Sequence, residues 1–285
     1  MNKNNSFFSQ FSINCRGNLI SLEKPLIMGI VNITPDSFYQ SFASNENKKM
    51  LLHIEKMMND GVDIIDVGAM SSRPKAELIS EAEEENRLLP ALEIITKNFP
   101  ELLISIDTFR ANIAQQAIDR NASIINDISA GNWDEKMLAT IAKNKVPYIA
   151  MHGLGKPFEL HQQLEIENIT TTVYSFFNDK IAAFKNAGII DVILDVGFGF
   201  SKTLTENYQL IAELNYFKTL ELPLLIGISR KSMITKLLQI DAKDALSATS
   251  ALHLQCLIQG AKILRVHDVK EAKEVVKIYR QLQNV

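Results

Sequence analysis

Arg265 and His267 follow the apolar run Ala261-Lys262-Ile263-Leu264, and Lys231 stands in Ser229-Arg230-Lys231-Ser232 after Pro223-Leu224-Leu225-Ile226-Gly227. Cations delivered at the ends of buried strands are poorly explained by packing and suit an anion-binding mouth. Asp107 ends Leu103-Ile104-Ser105-Ile106, Asp195 ends Val192-Ile193-Leu194, and Asn126 ends Ser123-Ile124-Ile125. Two carboxylates and an amide on one inner rim suit a flat heterocycle with several N–H donors, because one carboxylate accepts from a ring N–H and an exocyclic amine together. A lone strand-end Asp more often caps the next helix. Three such residues on neighbouring or near-neighbouring strands favour a site, whereas Asp127 and Asp268 read as caps or turn residues.

The loops add further polar groups. Asn32-Ile33-Thr34-Pro35-Asp36-Ser37-Phe38 opens a long polar connection of the kind that forms an active-site loop. Phe38 and Phe42 either cover an aromatic ligand or pack back on that loop. Ser71-Ser72-Arg73-Pro74 sets small hydroxyls beside a guanidinium, which suits an oxyanion. Gly197-Phe198-Gly199-Phe200 allows close backbone approach, although a tight turn explains its glycines almost as well. His152 follows a strand. His53, His161 and His253 read as structural or solvent-facing. No His-x-x-x-His or Cys-x-x-Cys spacing exists, so zinc is not expected, while Mg²⁺ bridging a ligand's phosphates needs few protein ligands.

Such groups need strands to aim them. Apolar, β-branched runs occur at 26–31, 62–67, 102–106, 123–126, 146–151, 192–194, 224–228 and 261–266. Segments of helical spacing lie at 48–60, 81–98, 110–120, 135–143, 164–187, 205–217, 231–259 (broken near Asp241) and 269–282. The clearest stripe is Ile166, Ile169, Val173, Phe176, Phe177, Ile181 and Phe184. Strands apolar on both faces, alternating with helices, imply a parallel sheet. Eight units predict one α/β domain over 1–285, a (β/α)₈ TIM barrel. The open doubly wound alternative lacks a Gly-x-Gly-x-x-Gly fingerprint after its first strand. A hairpin within the extension 1–24, around Arg16-Gly17-Asn18, is expected to plug the barrel floor.

The bulk numbers narrow the function. A net charge of -3 and a pI near 6.0 argue against nucleic-acid binding through bulk charge, so an anionic ligand needs a local cation cluster. No apolar run reaches the ~18 residues of a membrane span, and the N-terminus has no signal-peptide core. A cytoplasmic protein is expected, with Cys15 and Cys256 as free thiols. The acidic run from Glu81 to Glu85 is expected to be a solvated first helical turn.

Nine segments in order carry a resemblance over nearly the whole chain. They are Met28-Gly29-Ile30-Val31-Asn32-Ile33-Thr34-Pro35-Asp36-Ser37-Phe38, Asp63-Ile64-Ile65-Asp66-Val67-Gly68, Ser71-Ser72-Arg73-Pro74, Ile104-Ser105-Ile106-Asp107-Thr108, Ile125-Asn126-Asp127-Ile128, Met151-His152, Leu194-Asp195 with Gly197-Phe198-Gly199-Phe200, Ser229-Arg230-Lys231-Ser232, and Leu264-Arg265-Val266-His267-Asp268. The set resembles the bacterial dihydropteroate synthases, the folate-pathway family targeted by sulfonamides. That resemblance implies a (β/α)₈ barrel, a homodimer through the later helices, and a reaction joining 6-hydroxymethyl-7,8-dihydropterin diphosphate to 4-aminobenzoate with release of diphosphate. It assigns Asp107, Asn126, Asp195 and Lys231 to the pterin, with Met151 and Gly227 completing the substrate-binding set. It assigns Asn32 to Mg²⁺, and Ser72, Arg73, Arg265 and His267 to the diphosphate. Thr34, Asp36, Ser37, Phe38, Pro74, Phe200 and Ser232 fall to the 4-aminobenzoate pocket. Asp107, Asp195, Lys231, Arg265 and His267 form the expected catalytic set.

The chain departs from the family pattern at several points. A common Gly-Glu-Ser-Thr-Arg-Pro-Gly run is Ala69-Met70-Ser71-Ser72-Arg73-Pro74-Lys75 here. Asp-Pro-Gly becomes Asp195-Val196-Gly197, the glycine before Lys202 is Ser201, and the glycine-rich end of the first loop becomes Gln40-Ser41-Phe42. None of these removes a charge the reaction needs. Two other readings stay open: a barrel that binds methyltetrahydrofolate, which has no diphosphate to hold, and a non-catalytic pterin-binding paralogue.

Overall fold

The computed structural model describes residues 12–33, 44–70, 78–153, 155 and 166–284. Strands β1 (Ser12–Cys15) and β2 (Asn18–Ser21) pair antiparallel as a hairpin. Eight parallel strands follow: β3 (Leu26–Asn32), β4 (Ile64–Gly68), β5 (Leu103–Asp107), β6 (Ile124–Asp127), β7 (Tyr148–Met151), β8 (Val192–Asp195), β9 (Leu224–Ile226) and β10 (Ile263–Val266). They close into a barrel in chain order, β10 pairing with both β9 and β3. The helices are α1 (Ser44–Asn59), α2 (Glu81–Asn98), α3 (Ala111–Asp119), α4 (Met137–Asn144), α5 (Ile169–Ala187), α6 (Leu204–Ala212), α7 (Ser232–Leu238), α8 (Leu246–Ile258) and α9 (Val269–Gln283). The expected barrel is therefore present, each strand lying within two residues of its predicted bounds.

Local chemistry explains most boundaries. Ser80 caps α2 by accepting from the Glu83 amide, and Thr203 with Glu206 forms a reciprocal capping box on α6. Helix α5 starts at Asn168 and stops at Gly188, which is left-handed with φ 86°. Its stripe holds: Ile169, Val173, Phe177 and Phe184 are buried, and Ile166, Phe176 and Ile181 pack against them. Replacing Phe177 by Ala would cost about 3–5 kcal/mol.

One helix ends earlier than its periodicity predicts. The helix expected over 205–217 stops at Ala212 and continues as a 3₁₀ turn, Leu214–Leu220. Three residues per turn place Leu214 and Phe217 on one side, and both are buried. The break near Asp241 is real: Gln239 turns left-handed, a short 3₁₀ turn follows at Ala242–Asp244, and α8 restarts at Leu246. The acidic run opening α2 is not uniformly solvated either. Glu84 is fully buried and ion-paired with Arg110, which joins the start of α2 to the loop after β5.

The barrel interior is layered. Ile13, Cys15 and Leu22 from the hairpin segment pack against Met28, Ile64, Ile124, Ile149, Ile193, Leu225 and Ile263. These are the inward residues at the N-terminal ends of the strands, so the hairpin closes the floor as expected. Cys15 and Cys256 are free and buried.

Candidate active site

Side chains alternate across a strand, so the residue two places beyond each floor residue also points inward. That rule carries Ile64 to Asp66, Ile124 to Asn126, Ile149 to Met151, Ile193 to Asp195, Leu225 to Gly227 and Ile263 to Arg265. An apolar floor thus lies beneath a polar layer without any break in strand pattern. One further step places Asn32, Gly68, Asp107 and His267 at the rim. The registers agree, with Asp107 beside Asn126, Met151 beside Asp195 and Asn32 beside Gly68.

An ion-paired cluster lies at the centre. Nε of Arg265 donates to Oδ2 of Asp66 at 2.6 Å, and Nη2 donates to Oδ2 of Asp107 at 2.9 Å. Oδ2 of Asp66 also accepts from Nδ2 of Asn126 at 3.0 Å. That bond turns the Asn126 carbonyl oxygen away from Asp66, where it serves as an acceptor. Oδ1 of Asp66 is buried with no hydrogen-bond partner among the described residues. Gly68 makes room for Asp107, since a Cβ there would lie 3.2 Å from the Asp107 Cβ.

The opposite wall is built around Asp195. Its Oδ1 accepts from the Gly197 amide at 2.8 Å. Nζ of Lys231 donates to the Phe198 carbonyl at 2.5 Å and lies 4.4 Å from the Phe200 ring centroid, within cation–π range. A Cβ on Gly227 would stand 3.9 Å from Oδ2 of Asp195, and 4.0 Å from both the Arg265 Cβ and the Lys231 Nζ. Gly227 therefore keeps the space between these three charges open. Met151 and Phe200 form a small apolar cluster with Ile128 and Trp133, a surface for an aromatic face.

Above this layer a cavity of about 750 Å³ has Asn32, Gly227, Lys231, Ser232, Arg265 and His267 among its walls. Oγ of Ser229 accepts from the His267 amide and lies 3.2 Å from Nδ1 of its ring. Arg230 and Asp268 form a two-pronged ion pair at 2.8 and 2.6 Å, joining the loops that carry Lys231 and His267.

The electrostatics follow from burial. Burial, with Asp66, Glu84 and Asp127 nearby, pushes Asp107 up to about 7 against the opposing pull of Arg265. Burial also raises Asp195, with Lys231 opposing. Lys231 is pulled down to about 8 by burial, with Asp195 working the other way. Burial weakens the Arg265 charge, but Asp66 and Asp107 outweigh it and leave the guanidinium more basic than usual. At neutral pH the cations Lys231 and Arg265 stay charged beside carboxylates that burial makes harder to ionise.

The structure brings together Asn32, Asp107, Asn126, Met151, Asp195, Phe200, Gly227, Lys231, Ser232, Arg265 and His267. Neither Asp107 nor Asp195 caps a helix: Arg110 stands at that place for α3 and Thr203 for α6. Asp127 is a turn residue, accepting from the Ser129 and Gly131 amides and from Tyr148. Asp268 precedes α9, but its side chain serves Arg230 rather than the helix. Arg265 leaves the strand one inward position before His267, and its guanidinium spans from Asp66 in the polar layer to Asp107 at the rim, so both cations line the same cavity. Thr34, Asp36, Ser37, Phe38, Phe42, Ser72, Arg73, Pro74 and His161 lie outside the described residues.

From sequence Asp66 is a polar strand-end position with no assigned role, and the Phe198 carbonyl has no signal. An acid inside Ile64-Ile65-Asp66-Val67 was the available signal for the first. Nothing in a sequence marks a backbone carbonyl as a lysine's partner.

The chain's residues 28–267 match the family model described as pterin binding enzyme. It is 38% identical over 265 residues to a dihydropteroate synthase of Escherichia coli (strain K12), covering 92% of this chain and 93% of the relative. Among solved structures, a Yersinia pestis dihydropteroate synthase in complex with a sulfonamide drug superposes with a TM-score of 0.89 at 35% identity, covering 96% of this chain and 100% of that one. A Xanthomonas albilineans dihydropteroate synthase with 4-aminobenzoic acid gives a TM-score of 0.90 at 31% identity, covering 97% and 100%.

Proposed function

This chain belongs to the pterin-binding enzymes, and within them to the dihydropteroate synthases, transferases of folate biosynthesis; from that premise we propose how its pocket performs the condensation. The pterin ring lies in the polar layer. Asp107, Asp195 and the Asn126 carbonyl oxygen accept its N–H donors, and Lys231 donates to its acceptors. Met151 and Gly227 border the ring. The diphosphate extends towards the rim, where Arg265 and His267 meet it; the family resemblance assigns Ser72 and Arg73 to the same anion. The 4-aminobenzoate enters beside Phe200 and Ser232, and the family resemblance assigns Thr34, Asp36, Ser37, Phe38 and Pro74 to the same substrate.

The reaction is dissociative. The C–O bond of the pterin methylene breaks and its electron pair leaves with the diphosphate. The ring delocalises the resulting cation, which Asp107 and Asp195 stabilise in a poorly solvated pocket. The aniline nitrogen then attacks with its lone pair, forms the C–N bond and loses a proton. A neutral aniline is nucleophilic enough that no enzyme nucleophile is needed. Arg265 links the two halves, since it pairs with Asp107 while extending towards the leaving group.

Mg²⁺ fits the residues as a companion of the phosphates. No three His, Cys, Asp or Glu side chains converge among the described residues, so a cage made wholly of protein is absent there. Asn32 offers a neutral amide oxygen on the cavity wall, and Mg²⁺ takes few protein ligands beside phosphates and water. Held by Asn32, the ion would neutralise charge on the departing diphosphate.

The observation that carries this reading is one pocket in which the acceptors Asp107, Asn126 and Asp195 lie beside the cations Lys231 and Arg265. The methyltetrahydrofolate reading gives those cations and His267 no diphosphate to hold. A homodimer is part of the proposal. Helix α8 is apolar around much of its circumference, with Ile258 half exposed, as are Leu237 and Leu238 of α7. Release of diphosphate from the two substrates with Mg²⁺ tests the function. Turnover that requires both supports it, while pterin binding without release favours the paralogue.

A further inference from the structure

The turn after β8 is organised by a buried ammonium group to which the mechanism gives no task. Lys202 is 3% exposed. Its Nζ donates to the carbonyls of Gly197 at 2.9 Å and Phe200 at 3.0 Å, lies 3.0 Å from Nδ1 of His152, and is 3.5 Å from the His152 carbonyl. Three N–H donors therefore meet three close acceptors. His152 is fully buried, and its ring meets Phe176 edge-on at 4.9 Å between centroids. Burial and the Lys202 charge hold His152 well below its usual range, so it is neutral and accepts through Nδ1.

The backbone of this turn needs such an anchor. Gly197 is left-handed at φ 70°, and a Cβ there would stand 1.9 Å from the His152 carbonyl oxygen. Ser201, directly before Lys202, is a non-glycine residue held at φ 50°. That conformation is disfavoured for any side chain and persists only where surrounding contacts impose it.

The same few residues hold the site on their other side. The Gly197 amide donates to Asp195, the Phe198 carbonyl accepts from Lys231, and the Phe200 ring lies against the Lys231 ammonium. We infer that Lys202 is a positioning residue for the pterin pocket: its ammonium locks the 197–200 turn, so that Asp195 is aimed at the ring and Lys231 has a fixed partner. The inference rests on the functional reading above and adds a residue that touches no substrate. Burial pulls Lys202 down to about 7 while Asp195 pushes it up, so the carboxylate that the turn aims is also a counter-charge of the cage.

The test uses the full chain and Lys202→Met, which keeps the stem and removes the ammonium. The readouts are calorimetric affinity for 6-hydroxymethylpterin, inhibition by diphosphate, and turnover. Pterin affinity should fall on the order of 10- to 100-fold, the scale of a small misplacement. Diphosphate inhibition should move less than ~3-fold, because Arg265 and His267 belong to β10 and the loop after it. Unchanged pterin affinity overturns the inference, and so does equal loss of both affinities, which marks a general structural role. A second measurement needs no variant. In the ¹⁵N-lysine-labelled unaltered chain, the Lys202 ammonium signal should shift with pterin and stay fixed with diphosphate alone; a signal indifferent to pterin overturns the inference. An unaltered chain that binds no pterin brings down the functional reading and this inference together, whereas one that binds it no better than Lys202→Met brings down this inference alone.

Discussion

Asp66→Asn removes the charge at the centre of the pocket while keeping its shape. One carboxylate oxygen of Asp66 accepts from Nε of Arg265 at 2.6 Å and from Nδ2 of Asn126 at 3.0 Å. Removing one partner of a buried ion pair costs about 3–5 kcal/mol. Two features reduce that here: Arg265 is 16% exposed, and it keeps Asp107 at 2.9 Å. About 2–3 kcal/mol remains, in line with charge-assisted hydrogen bonds. The expected drop in melting temperature is roughly 4–10 °C. If the same energy aims Arg265 and Asn126, kcat/KM should fall about 30- to 150-fold. Asp66 also raises the Asp107 pKa, so its loss should move the acid limb of the pH–rate profile to lower pH. The assay is diphosphate release across pH on a variant checked by thermal melting. Unaltered kcat/KM with an unaltered acid limb would refute the reasoning, because the central charge would then hold nothing that the reaction uses.

In the unaltered chain, kcat/KM should fall about tenfold per pH unit below about 7, where Asp107 takes up its proton; a flat profile through this range opposes a role for its charge. The stability effect has the opposite sign. Asp107 is raised in the fold from an ordinary value near 3.9, so its contribution is fully present below that pH and is lost as pH rises through about 7. Melting temperatures should therefore show a falling component over that window which Asp107→Asn abolishes. Gly227→Leu should fill the space between Asp195, Lys231 and Arg265 and lower pterin affinity by on the order of 100-fold, while the melting temperature moves by less than ~5 °C. Calorimetry and a melt check this, and retained pterin binding would place the ring elsewhere.

The barrel was legible because each strand is an apolar run, and nearly every run has a polar residue at or shortly past its C-terminal end. Asp107, Asn126 and Asp195 were legible for the same reason: side-chain alternation alone lifts them one or two steps above the floor. What sequence hides is pairing across the barrel. Asp66 and Arg265 are 199 residues apart and meet only after closure, so neither the acids that flank Arg265 nor the orientation of the Asn126 amide is written in the sequence. Glu84 departs from the expectation because an acid in a first helical turn normally faces water, and here Arg110 and Thr108 hold it in the interior. Nothing in sequence marks Lys202, since its acceptors are two backbone carbonyls and a histidine 50 positions away.

Asp107→Asn, assayed for turnover and for inhibition by diphosphate, separates the two halves of the pocket most directly. If the carboxylate stabilises the methylene cation while cations hold the leaving group, kcat should fall by on the order of 100- to 1000-fold with the diphosphate inhibition constant held within ~3-fold. Equal losses in both would contradict that division.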